Sequence, residues 1–278
     1  MKFELASNDT IIDVLEFLPR LDDSPFVLKG ALALNIQLLN ISDDINIRLS
    51  EDIDIYLDRA KLKFLDLITI VEEALSSLGL LSSIEVQKVR TPKRNSGGRI
   101  ALKYKNGLPS NDDDLFFTID VDIDELVLPT VDRLLPSGVV CRLSNIENIC
   151  ADKIDAISKP KVLRRIKDVY DIFLISNAFE PEYQDIKKCI DAEQGLHDFG
   201  VFLTNVAGLK TAYSELGTLR DINRKPAFET VYIRACDFLR PFGTTNLTYP
   251  NAKWSIQCGK WIKDPNSVFS KRDKNKVK

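Results

Sequence analysis

The sequence predicts an α+β protein, with a half that mixes strands and helices followed by a half built mainly from helices. Three observations carry this. Several short segments before residue 125 alternate polar and apolar residues with a period of two, as half-buried strands do. Between and beyond them, apolar residues recur at helical spacing. After Pro136-Ser137-Gly138, a turn signal, the strand-like segments stop. The expected division is therefore a core at 1–136 and a mainly helical domain at 137–278, within the size range of two modest domains.

In order along the chain, residues 10–18 (TIIDVLEFL) suit a short amphipathic helix. Phe26-Val27-Leu28 fits either a strand or a helix entry, and leads through Lys29-Gly30 into the strongly helical run 31–39 (ALALNIQLL). Residues 40–46 are polar and turn-prone, and 52–57 (DIDIYL) alternate as a strand. A long helix is expected at 62–78, then strands at 84–90, 99–104 and 115–123. A loop containing Pro92 and two glycines joins the first two of these. Past the boundary, 145–157 and 162–176 read as helices separated by Lys159-Pro160, and the chain stays largely helical to about Leu239. Trp254 and Trp261 read as packing anchors ahead of base-stacking platforms.

Composition bounds the function. A hydrophobic fraction of 44% is enough for a sizeable core. The formal net charge of -3 excludes capture of nucleic acid by the chain as a whole. RNA contact would need local clusters such as Lys88, Arg90, Lys93, Arg94 and Arg99, or Lys159, Lys161, Arg164 and Arg165. The basic stretch 270–278 (SKRDKNKVK) fits a solvated terminus, with RNA contact as the alternative. Five scattered cysteines without CxxC spacing read as reduced thiols. The opening MKFELASNDT lacks a signal-peptide pattern, and no run approaches the roughly 18 apolar residues of a membrane helix. A soluble cytoplasmic protein without membrane contact is expected.

The chemistry concentrates at Ser50-Glu51-Asp52-Ile53-Asp54. In a strand, residues two apart share a face, so Asp52 and Asp54 project together while Ile53 and Ile55 face the core. Adjacent carboxylates repel unless a cation sits between them, and magnesium suits such a site with substrate phosphates as further ligands. The competing explanation is an exposed edge kept soluble by charge. Upstream, Lys29-Gly30 opens a helix whose free N–H groups and dipole favour phosphate, although a glycine there also serves as a plain turn. A third acidic strand places Asp120, Asp122 and Asp124 on one face, and one of them would complete a metal site. Finally, Lys167, Asp168 and Asp171 line one side of a helix, with Asp152-Lys153 on another.

Taken in order, these pieces resemble the AbiEii/AbiGii toxin family of nucleotidyltransferases, known from phage abortive infection and type IV toxin–antitoxin systems. The resemblance rests on Lys29-Gly30-Ala31-Leu32-Ala33-Leu34, on Arg48-Leu49-Ser50-Glu51-Asp52-Ile53-Asp54, and on Lys167-Asp168-Val169-Tyr170-Asp171. Ile119-Asp120-Val121 with Leu128-Pro129 is similar to the family's third-carboxylate strand, and the run from Glu147 to Ile154 to its lysine-bearing helix. The resemblance implies a polymerase-beta-like nucleotidyltransferase core, a small mixed sheet flanked by helices, with a helical C-terminal half supplying Lys and Asp residues to the active site. It implies Asp52, Asp54 and Asp120 as ligands of Mg²⁺ or Mn²⁺, and a nucleoside triphosphate as substrate. Lys29, Gly30, Ala31 and Ser50 would hold that nucleotide. Lys153 and Lys167 would steady phosphate charge, and Asp168 or Asp171 would orient a lysine or help deprotonate the acceptor.

A tRNA 3′ end is the first acceptor the family suggests, and a cognate antitoxin the partner. One departure is Ala31, where the family commonly has glycine, serine or threonine; it keeps the space but offers no hydroxyl, so its backbone N–H has to serve. That feature motivates the first alternative, a catalytically weakened nucleotide-binding relative acting through a protein partner. A protein-modifying nucleotidyltransferase, using the same metal site, is the second.

Overall fold

Strand β2 (Asp52–Asp58) is a central member of a seven-stranded mixed sheet, and everything at the site follows from its neighbours. The structure, a computed structural model, describes residues 5–6, 9–20, 24–58, 62–90, 98–105, 115–124, 129–135, 137–192, 197–243 and 251–263. Lys93, Arg94 and the basic stretch 270–278 lie outside the described residues.

Helix α1 (Asp9–Phe17) is followed by strand β1 (Phe26–Lys29) and helix α2 (Gly30–Leu39). After β2 come α3 (Phe64–Ser77), β3 (Ile84–Arg90), β4 (Gly98–Tyr104) and β5 (Leu115–Asp124). A closing hairpin consists of β6 (Thr130–Leu134) and β7 (Val140–Ser144). The sheet order is β3-β4-β5-β2-β1-β7-β6. Strand β2 runs antiparallel to β1 and parallel to β5. Alternation does the sorting: Ile53, Ile55 and Leu57 are buried while Asp52, Asp54 and Tyr56 stand half-buried on the other face. On β5, Phe117, Ile119, Val121 and Ile123 likewise enter the core. Helix α2 is buried along almost its whole length, which explains its uninterrupted apolar run.

The chain divides into two units, Met1–Asn145 and Ile146–Lys278. This division falls beyond the expected boundary near Pro136, and Ser137-Gly138 lie in the turn between β6 and β7. Gly138 takes φ 84° in its turn, and its N–H donates to Leu135 O at 2.9 Å. The signal read as punctuation between domains is a turn within the sheet.

The second unit contains α4 (Ile146–Ser158), α5 (Ile166–Ala178), α6 (Tyr183–Ala192), α7 (Gly200–Thr204), α8 (Val206–Ser214) and α9 (Phe228–Leu239). The helix expected from Val162 begins as a 3-10 turn, Val162–Arg165, before α5 takes over. A two-stranded hairpin, β8 (Ala252–Ser255) and β9 (Lys260–Lys263), was not anticipated, since strands of four residues are too short to display a period. It carries both tryptophans. Trp254 is fully buried and its indole N–H donates to Ser176 O at 2.7 Å, while Trp261 packs edge-on to Phe242. Both act as packing anchors.

None of the five cysteines is in a disulfide. Burial pushes the Cys141 thiol up to about 12 and holds the Cys150 thiol well above its ordinary value, which disfavours the thiolate at both. No helix among the described residues is long and apolar enough to cross a membrane.

Candidate active site

Register assembles the acidic cluster. Because β2 and β5 pair in parallel, Asp54 sits directly across from Asp120, and Asp52 one step along the same face of β2. Ligand oxygens of Asp52, Asp54 and Asp120 lie within 4.8 Å of one another, all three residues half-buried. The donor set is oxygen throughout, which suits a hard divalent cation and not a soft one. Among the described residues this is the one such cluster of acidic, histidine or cysteine ligands.

Gly30 abuts this cluster. It adopts φ 65°, a left-handed conformation, as the first residue of α2. A Cβ built there would lie 2.1 Å from Asp54 Oδ2. Glycine is therefore required twice, for its backbone angle and for the space the Asp54 carboxylate takes. Ala31 follows as a buried residue of α2.

Ser50 is completely buried, and its hydroxyl donates to Asp52 O at 2.9 Å with a longer approach of 3.4 Å to Asp52 Oδ1. It fixes the start of β2. A residue the sequence did not single out, Asn35 of α2, fixes it further. Its buried amide donates to Arg48 O at 2.8 Å and to Leu5 O at 3.1 Å. From sequence Asn35 is one of two polar residues, with Gln37, in an otherwise apolar helix, and that placement is the signal that could have found it.

Two cations flank the acids. Lys29 pairs with Asp122 and lies 4.5 Å from the Tyr56 ring centre. Arg99 of β4 grips Asp120 with two bonds, Nε to Oδ1 at 2.6 Å and Nη2 to Oδ2 at 2.5 Å. That fork raises the Arg99 pKa through its hydrogen bonds to Asp120, opposed by partial burial and reinforced by the charges of Asp120, Asp52 and Asp54. The sequence suggested Arg99 as part of a basic RNA-facing cluster; the strand register engages it with Asp120.

The second unit holds a different constellation. Lys153 of α4 is buried, with Nζ 2.8 Å from Asp168 Oδ1 and 2.8 Å from Asp171 Oδ2, both on α5. Asp168 and Asp171 stand one helical turn apart, so both reach one ammonium. Arg165 approaches the far oxygen of Asp168 at 3.8 Å. Lys167, on the same helix, is half-buried.

The first unit thus presents three convergent carboxylates beside a glycine-opened helix, and the second holds a buried lysine–aspartate cluster. The sequence pattern of the family described as nucleotidyl transferase AbiEii toxin, type IV TA system, matches residues 16–230. The chain belongs to that family, and is a nucleotidyltransferase toxin of a type IV toxin–antitoxin system. Among solved structures it is similar to MenT4, the nucleotidyltransferase toxin Rv2826c of Mycobacterium tuberculosis H37Rv, at 17% identity with a TM-score of 0.48, covering 85% of this chain and 84% of that one. No curated protein matches the sequence.

Proposed function

We propose that the protein transfers a nucleotide from a nucleoside triphosphate to the 3′ end of a tRNA, using a divalent metal held by Asp52, Asp54 and Asp120. The observation that carries this is the convergence of those carboxylates, from strands far apart in sequence, beside the left-handed Gly30. Mg²⁺ or Mn²⁺ bound there would neutralise phosphate charge and acidify the attacking hydroxyl.

The chain's own residues set the geometry. Asp54 and Asp120 face each other across β2 and β5, while Ser50 and Asn35 hold the start of β2 in place. The N–H groups at the start of α2, from Gly30 and Ala31, are the anion-binding element for the triphosphate, with Lys29 adjoining. In the reaction the acceptor hydroxyl oxygen bonds to the α-phosphorus, the bond to the β-phosphate oxygen breaks, and pyrophosphate leaves. The hydroxyl proton passes to solvent or a carboxylate. Asp168 and Asp171 both pair with Lys153, which fits the lysine-orienting role better than acceptor deprotonation. Lys167 is the more accessible lysine for phosphate charge. The cognate antitoxin is the protein partner.

The test is label transfer from each of the four nucleoside triphosphates, with Mg²⁺, to total tRNA and to total cell protein, for wild type and Asp52→Ala/Asp54→Ala. Label in RNA that the double variant loses is the expected result. Label in protein would instead make this a protein-modifying enzyme. Nucleotide binding without transfer to either fraction would identify a catalytically weakened relative acting through its partner.

A further inference from the structure

One level of the sheet carries four charged residues in a row. Strand register places Arg99 opposite Asp120, Asp120 opposite Asp54, and Asp54 opposite Lys29. Directly paired residues on neighbouring strands point to the same face, so the row reads cation, acid, acid, cation across four strands. The two cations behave differently. Lys29 turns to Asp122 and Tyr56, one step along. Arg99 engages both oxygens of Asp120, a carboxylate of the cluster itself.

We propose that Arg99 is the resident counter-ion of the carboxylate cluster, and that a divalent cation must displace its guanidinium from Asp120 to bind. This rests on the reading of Asp52, Asp54 and Asp120 as the metal site. Three carboxylates with oxygens this close repel each other strongly without a positive partner. The guanidinium supplies one, and its fork is a bidentate match to a carboxylate that a lysine cannot reproduce. Its side chain is 47% exposed, so it has room to swing away without disturbing the core. Once released, it stands beside the site where triphosphate is proposed to bind and gains an anionic partner there. Metal arriving with nucleotide is thereby favoured over metal alone, which keeps the empty enzyme metal-poor.

The experiment is Mn²⁺ binding to the full chain, followed by the electron paramagnetic resonance signal of free Mn²⁺, with no nucleotide and no turnover. The chains compared are wild type, Arg99→Gln, Arg99→Lys, Lys103→Gln and Asp52→Asn/Asp54→Asn. Arg99→Gln is expected to bind Mn²⁺ about three- to tenfold more tightly, the scale of losing one half-exposed charged pair. Arg99→Lys should fall between it and wild type. Lys103, on the same strand but roughly 13 Å further along, lies beyond the screening length, so its variant should match wild type. The Mn²⁺-induced rise in Tm should be larger for Arg99→Gln than for wild type.

Equal or weaker Mn²⁺ binding by Arg99→Gln, with binding lost in the aspartate variant, overturns the proposal and leaves the metal reading standing. Binding absent from wild type and Arg99→Gln alike, or unaffected by the aspartate changes, overturns the metal reading and the proposal together. If Arg99→Gln fails to fold, the comparison passes to Arg99→Lys, whose affinity must exceed that of wild type for the proposal to survive.

Discussion

Two acidic clusters, one in each unit, solve the same electrostatic problem in opposite ways. Asp52, Asp54 and Asp120 are half-buried on one face of the sheet, and Arg99, which grips Asp120, is itself 47% exposed. Asp168 and Asp171 are buried around Lys153, whose side chain is only 9% exposed. On the proposed reading, the first cluster has an excess of negative charge held by an exchangeable partner, the condition for taking up a foreign cation. The second is closed: its lysine is supplied by the chain, and removing any member leaves buried charge behind. Acidic residues thus differ in purpose according to whether their counter-charge comes from within or from without.

The comparison can be broken at either cluster. The largest effect is expected from Asp52→Ala/Asp54→Ala, with nucleotide transfer falling by on the order of 10³-fold or more while the urea midpoint holds or rises, because mutual repulsion is relieved. Transfer assays and circular dichroism on one preparation check both halves. At the closed cluster the costs move to folding. Lys153→Met leaves two buried carboxylates without their ammonium and should cost about 3–5 kcal/mol in urea unfolding. Adding Asp168→Asn and Asp171→Asn to that variant should recover most of the loss; a triple variant as weak as the single one would mean that packing, not charge, governs the site.

Intermediate effects sharpen the open cluster. Gly30→Ala forces a side chain into a left-handed backbone and against Asp54, so a loss of about 1–3 kcal/mol is expected. Mn²⁺ affinity should fall as Asp54 is pushed aside, and calorimetry measures both quantities. Asn35→Ala removes the amide donor to the carbonyls of Arg48 and Leu5, the latter keeping its bond from Ser50 N–H, at about 1–2 kcal/mol, and loosens β2, so KM for nucleotide should rise on steady-state kinetics. The smallest change is expected from Lys159→Ala. It removes a surface pair with Asp155 four residues away in sequence and should shift stability by only a few tenths of a kcal/mol.

Much of this arrangement is legible in the sequence because it is local. The two-residue spacing of Asp52 and Asp54 fixes their common face, and the three-residue spacing of Asp168 and Asp171 fixes theirs. What is not legible depends on register between distant segments. Nothing in residues 98–105 announces that Arg99 will meet Asp120 and not Asp122, since one two-residue slip of β4 would change the partner. The closure of Lys153 by both aspartates needs two helices to pack. The β6–β7 hairpin escaped for another reason: β6 is exposed at four of five positions, so it has no buried face to write a period.

The hairpin that closes the second unit has a practical consequence. The chain has two tryptophans, and both belong to that hairpin. Trp254 and Trp261 face each other across its two strands, each near the Phe238 ring, at 4.9 and 5.2 Å. Indole emission therefore reports on the helical unit alone and is silent about the sheet that carries Asp52, Asp54 and Asp120. Circular dichroism sees both. Following the two signals through one denaturant titration separates the melting of the halves without any engineered label, and coincident curves would mean that they unfold as one cooperative body.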